Sequence, residues 1–196
     1  TLILCLCQNI KNQILSSQKK EWKRFLNFDS KRLNIGIFGM GHTGKKISNL
    51  LIKLGYKVFY FSQNSKSKSK KAVYVNSLKK LIDKVDILSI HISSNDETKN
   101  IFDKKILKLL KNKYIINTSR GDLIDENILY NYLKSNYILG AGLDVYINEP
   151  SIGCSQRIRN LDNVIGTAHS AFFNEHTILK MTEFSIKLVL KSLKEK

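Results

Sequence analysis

The chain has 196 residues, 42% of them apolar, with 33 Lys and Arg against 16 Asp and Glu, a formal net charge of +17. That length suits one domain that buries its own core. Three cysteines, Cys5, Cys7 and Cys154, form no secreted disulfide framework, and no metal partners cluster near the first two, so no metal site and a reducing, cytoplasmic compartment are expected. The apolar run Thr1 to Cys7 is too short to span a bilayer and lacks the basic flank and cleavage site of a signal peptide, so no membrane partner is expected.

No initiator Met opens the sequence, which therefore reads as a fragment or an excised domain. Residues 1–32 read as an N-terminal linking helix and connector, and 33–196 as the main domain. Leu2, Leu6, Ile10 and Ile14 share one face, predicting an amphipathic helix over Thr1 to Ile14. Lys19 to Arg32 is a basic connector with Trp22, Phe25 and Phe28 as aromatic anchors. Then Ile35 to Phe38, a buried strand, runs into Gly39, Gly41 and Gly44, followed by Ile47, Leu50, Leu51 and Leu54 at helical spacing until Gly55. Strand, glycine turn and helix in this order make a dinucleotide cradle. One glycine serves the turn, one lets the backbone approach a pyrophosphate, and one lets helix and strand pack closely.

Lys57 to Phe61 is a second strand, and its end matters. A carboxylate there would bind the adenosine ribose and repel an additional phosphate. The chain instead reads Ser62-Gln63-Asn64-Ser65-Lys66, with Lys68, Lys70 and Lys71 following, so charge leans toward NADP(H) within an NAD(P)(H) requirement. The alternative is a flexible solvated loop. Ala72 to Val75 is a short third strand. Ser77 caps a helix carrying Leu78, Leu81 and Ile82. Asp86 to His91 is a strand, Asp103 caps a helix with Ile106, Leu107 and Leu110 inward, and Tyr114 to Asn117 is a strand opening into Thr118-Ser119-Arg120-Gly121-Asp122. A helix over Glu126 to Asn136, a strand over Tyr137 to Asp144, a loop around Pro150, a short strand over Asn163 to Gly166 and a helix from Glu175 toward Lys194 complete the chain. This alternation predicts an α/β, Rossmann-type doubly wound, mostly parallel sheet with helices on both faces, and ligands gather at the carboxyl ends of such strands.

At those ends stand Ser62, His91, Arg120, Asp144 and His169. A carboxylate such as Glu149 beside the His169 imidazole would raise its pKa and fix its tautomer, and an Arg supplies a planar fork for a substrate carboxylate. Over a nicotinamide, Arg120, Glu149 and His169 could move a proton on oxygen while a hydride moves on carbon. Spacing leaves plainer readings open: a loop charge, a turn residue before Pro150 and a satisfied histidine. The lysines, among them Lys104, Lys105, Lys108, Lys111 and Lys113, are spread over several helices without interleaved aromatics, which favours a solvated face over a nucleic-acid site.

Five ordered stretches carry a resemblance over roughly Thr1 to Leu193. They are Ile35-Gly-Ile-Phe-Gly-Met-Gly-His-Thr-Gly44, Asp86-Ile-Leu-Ser-Ile-His91, Ile116-Asn-Thr-Ser-Arg-Gly-Asp-Leu-Ile-Asp125, Gly140-Ala-Gly-Leu-Asp-Val-Tyr-Ile-Asn-Glu-Pro150 and Asn163-Val-Ile-Gly-Thr-Ala-His-Ser-Ala-Phe-Phe173. The chain resembles the nucleotide-binding lobe of the D-isomer-specific 2-hydroxyacid dehydrogenases, D-lactate dehydrogenases above all. The resemblance implies reversible reduction of a small 2-oxoacid to a D-2-hydroxyacid, and a homodimer in full-length form. Arg120 would hold the substrate carboxylate and carbonyl, His169 would protonate the carbonyl oxygen, and Glu149 would orient and charge His169. Asp144 would meet the nicotinamide end, and the backbone of His42 and Thr43 the pyrophosphate. Ser62 would sit by the ribose, while Ile92, Ser93, Thr98, Thr118 and Ser119 line the rest of the groove. Two φ-fixing prolines of the family are replaced, by Ser93 and Ala168, and the family's substrate lobe is absent. Two rival readings are a non-catalytic NAD(P)-binding or scaffold module and a basic nucleic-acid binder.

Overall fold

The computed structural model describes residues 1–29, 32–63 and 71–194. Its strands are β1 (Asn34–Phe38), β2 (Lys57–Phe61), β3 (Val73–Tyr74), β4 (Ile87–Ile90), β5 (Tyr114–Asn117), β6 (Gly140–Leu143) and β7 (Val164–Gly166). The helices are α1 (Leu2–Cys7), α2 (Ile10–Gln18), α3 (His42–Lys53), α4 (Leu78–Lys84), α5 (Lys104–Lys108), α6 (Glu126–Lys134), α7 (Gly153–Arg159) and α8 (Glu175–Lys194). Every strand pairing is parallel, in the order β3-β2-β1-β4-β5-β6-β7. The chain winds outward from β1 to β3, returns to β4 beside β1, and winds outward the other way. That reversal leaves a crevice at the carboxyl ends of β1 and β4.

Alternation along the strands divides the core in two. Ile35 and Ile37 of β1 join Ile3, Leu6 and Cys7 of α1 and Leu51 of α3 on one face. Leu88 and Ile90 of β4 join Leu81 and Ile82 of α4, Leu107 of α5, Leu129 and Leu133 of α6 and Ile158 of α7 on the other. Helices therefore cover both faces, and strands buried on both sides read as continuous apolar runs.

The first predicted helix is two helices. Asn9, at φ +48, breaks the run between α1 and α2, and its side-chain amide donates to the Leu26 carbonyl of the returning connector. Asn tolerates this left-handed conformation better than most residues. In that connector Phe28 stands edge-on to Tyr114, at 5.7 Å between ring centroids, whereas Trp22 is 96% exposed and anchors nothing. The helix α7, where sequence indicates a loop, is placed by tertiary contacts described below. Lys66, Lys68 and Lys70 lie outside the described residues. No helix among the described residues is long and apolar enough to cross a membrane.

Candidate dinucleotide groove and its polar rim

The glycine turn divides its labour. Gly39, at φ +100, donates its N–H to the Phe61 carbonyl at 2.9 Å, and a Cβ there would lie 2.4 Å from the His91 carbonyl oxygen. At Gly44 a Cβ would fall 2.0 Å from the Gly39 oxygen, so α3 can pack on the turn only without a side chain. Gly41 is the exception: a Cβ there would meet nothing within 4 Å. Gly41 caps α3 with no side-chain hydrogen bond, so the first-turn N–H groups, with His42 and Thr43 exposed beside them, face open space. Free N–H groups and the positive end of the helix dipole there suit a diphosphate.

From this turn a cleft of about 530 Å³ extends along the carboxyl ends of the strands, lined by Thr43, Ser89, His91, Thr118, Asp144 and Ala171 among others. A second cleft of about 300 Å³ shares Thr43, His91 and Thr118 with it and adds Ile92, Ser93, Ser119 and Arg120. Ser62 sits half-buried just past β2. Thr98 lines neither cleft: its hydroxyl donates to the Ser93 carbonyl at 2.8 Å and accepts from Asn95 N–H at 2.9 Å, fastening its own loop.

Sequence reasoning gives no role to three supporting residues, though it places one of them, His91, at a strand end. Asn117, at the end of β5, accepts from Ser119 N–H at 3.0 Å and donates to the Arg120 carbonyl at 2.7 Å, which shapes the Thr118–Arg120 turn. Asp122 accepts from Ser94 Oγ at 2.7 Å and ties that turn to the Ser93 loop. His91 directly follows β4, where its place at the strand's carboxyl end alone marks it. Its Nε2 meets Ser89 Oγ at 2.9 Å, its Nδ1 is buried without a partner among the described residues, and burial lowers its pKa to about 4.

At the far end Asp144, 2% exposed, folds the segment bearing His169. Its carboxylate accepts from the Thr167 hydroxyl and from the N–H groups of Ser170 at 2.9 Å and Ala171 at 3.0 Å, while its carbonyl accepts from His169 N–H at 2.8 Å. His169 itself takes φ +49. Its Nδ1 meets Glu149 Oε2 at 2.7 Å, and Glu149 Oε1 accepts from Tyr146 N–H at 2.9 Å. Burial acts to raise the Glu149 pKa, but the hydrogen bonds from His169 and Tyr146 outweigh it and leave the carboxyl below its ordinary value. An ionised carboxylate can only accept, so Nδ1 carries a proton and Nε2 is left to exchange one with a ligand.

Arg120 does not touch this pair. Its Nη1 donates to the Ser119 carbonyl at 2.7 Å. It reaches the same rim through Gly121, where a Cβ would lie 2.0 Å from the Tyr146 carbonyl carbon, so the Arg120 turn abuts the segment leading into Glu149. The His169–Glu149 pair lines a separate cavity of about 320 Å³ with Tyr146, Pro150, Arg159 and Ala168, whereas Arg120 lines the cleft of about 300 Å³. An imidazole ordered by a carboxylate can move a proton, and a guanidinium can bind an anion.

The family model for the D-isomer specific 2-hydroxyacid dehydrogenase NAD binding domain matches residues 1–171. A glyoxylate reductase of Thermococcus litoralis is 32% identical over 181 residues, covering 86% of this chain and 54% of that enzyme. The crystal structure of D-lactate dehydrogenase from Aquifex aeolicus, complexed with NAD and lactic acid, superposes with a TM-score of 0.90 at 25% identity over 99% of this chain and 64% of that one. An acyclic imino acid reductase in complex with NADPH and D-Arg gives 0.85 at 30% identity, covering 99% and 62%. The chain thus spans about half the length of the curated relative and under two thirds of either solved structure.

Proposed function

Because the chain belongs to the D-isomer-specific 2-hydroxyacid dehydrogenases, as their NAD-binding domain, we propose that it serves the reversible reduction of a small 2-oxoacid to the D-2-hydroxyacid. The observation that carries this reading is the 2.7 Å bond between His169 Nδ1 and Glu149, on a segment whose Thr167, Ser170 and Ala171 line the same cleft as Thr43 of the glycine turn. The nicotinamide, when bound, supplies or takes the hydride. His169 gives its Nε2 proton to the substrate carbonyl oxygen during reduction and recovers one during oxidation. Glu149 holds the ring and stabilises the imidazolium that reduction requires. Arg120 turns its guanidinium from the Ser119 carbonyl to the substrate carboxylate, where a planar fork binds two oxygens. Gly41 and the first N–H groups of α3 hold the diphosphate, and Asp144 fixes the His169 segment beside the nicotinamide end.

We assign NADP(H) as the preferred form. The support is the absence of a carboxylate at Ser62 and Gln63, after β2, together with Lys71 beyond. The acyclic imino acid reductase of 30% identity has a solved structure in complex with NADPH. Fluorescence titration of the chain with NADPH and NADH tests both readings. Binding of either dinucleotide, weakened only modestly by salt, is expected. Ser62→Asp should weaken NADPH by about tenfold relative to NADH through like-charge repulsion. Equal loss for both would overturn the NADP(H) assignment, and no binding by the unaltered chain would overturn the dehydrogenase reading.

A further inference from the structure

Glu149 stands on the loop between β6 and α7 and His169 on the loop after β7, with side chains 36% and 38% exposed. Exposed polar pairs keep their geometry only if something beneath them is fixed. Beneath this one are two consecutive backbone N–H groups. That of Tyr146 donates to Glu149 Oε1 at 2.9 Å, and that of Ile147 donates to Glu126 Oε1 at 2.8 Å. Glu126 is 6% exposed, opens α6 directly after the cap Asp125, and takes its second bond from Ser155 Oγ of α7 at 2.5 Å. A buried carboxylate persists where its oxygens are occupied. The two occupants here are the backbone leading into the Glu149 loop and the helix that follows it. Gly121 presses the same backbone from the Arg120 side, since a Cβ there would lie 2.0 Å from the Tyr146 carbonyl carbon and 2.4 Å from Ile147 N.

We infer that Glu126 is a positioning residue: by holding Ile147 N–H it sets the direction of Tyr146 N–H, and thereby the Glu149 carboxylate against His169. This rests on the reading of His169 as the proton carrier and adds the group that keeps its partner in place. Reach matters here more than charge. A Gln at this position keeps a carbonyl oxygen for Ile147 and turns its amide toward Ser155 Oγ, whereas an Asp keeps the charge and falls one methylene short.

Proton NMR of the 196-residue chain tests this, following the downfield Nδ1–H resonance of His169, assigned by its loss in His169→Gln, together with hydrogen exchange at the Tyr146 and Ile147 amides. Glu126→Gln should keep the resonance and leave both exchange rates within about twofold of the unaltered chain, whereas Glu126→Asp should shift or broaden the resonance and speed both amides at least about tenfold. Should Glu126→Asp fail to fold, Ser155→Ala, which frees Oε2 while keeping the carboxylate, should shift the same resonance and speed the same amides by about threefold. Resonance and exchange unchanged in the shortened or Ser155 variant, or a Gln variant as perturbed as the Asp one, would overturn the inference. Thermal destabilisation without any change at His169 would reduce Glu126 to a core carboxylate and overturn it equally. NADH binding by the unaltered chain is read separately, so a failure of the dehydrogenase reading is told apart from a failure of this one.

Discussion

Three glycines within six residues are not equivalent, because each is required by a different neighbour. Gly44 faces a backbone oxygen that cannot move aside, so Gly44→Ala should cost about 3 kcal/mol of stability, read as a lowered denaturation midpoint. Gly41 faces open space at φ −70, a conformation Ala adopts freely. Gly41→Ala should therefore leave the midpoint within about 0.5 kcal/mol. It should still weaken NADPH by about tenfold, or about 1.4 kcal/mol, because the methyl occupies the diphosphate's approach. His91 supplies a second residue-scale expectation. Its folded pKa is lowered from 6.5 to about 4 by burial, so between those values the unfolded chain binds a proton that the native chain refuses. Stability is intact above about pH 6.5 and should fall by about 3 kcal/mol as the pH drops through that window toward 4. Denaturation midpoints for the chain and for His91→Gln at each pH should converge as acidity rises. Glycine placement is legible in the sequence because backbone geometry admits no other residue. The directions of Thr98 and Arg120 are not, because each side chain takes a carbonyl of its own loop, and periodicity carries no trace of that choice.

Among the elements, those with local causes are the ones the sequence announces. The Ser77 and Asp103 hydroxyl and carboxylate accept from the N–H groups of Lys80 and Ile106, as capping residues do, and β1, β2, β4 and β5 follow their apolar runs. Two elements escape for a common reason. The break at Asn9 depends on the Leu26 carbonyl, and α7 depends on Ser155 reaching Glu126 across 29 positions. Such partners lie outside any helical window. The Asp125 cap offers a test at this scale. Its carboxylate accepts from Asn127 N–H at 3.0 Å and Ile128 N–H at 3.1 Å. Asp125→Ala should cost about 1 kcal/mol, measured by chemical denaturation. It should also loosen Tyr146 in hydrogen exchange, since α6 begins with the carboxylate that holds Ile147.

Over the whole molecule, the doubly wound order was legible because strands and helices alternate with short connections, and because the reversal beside β1 follows from right-handed crossovers. The meaning of the net charge of +17 was less so, since the lysines spread over several helices instead of gathering at the groove. One element stands apart from this economy. Leu179, Phe184, Ile186, Val189 and Leu193 of α8 are each more than half exposed, while the sheet and its two cores close without them. A helix with so little beneath it opens far more readily than the body it leaves. Brief digestion with trypsin, followed by mass spectrometry, should cut first at Lys180, Lys187 or Lys191. The product should be a trimmed particle that still quenches or enhances dinucleotide fluorescence, and crystallographers would do well to begin from it.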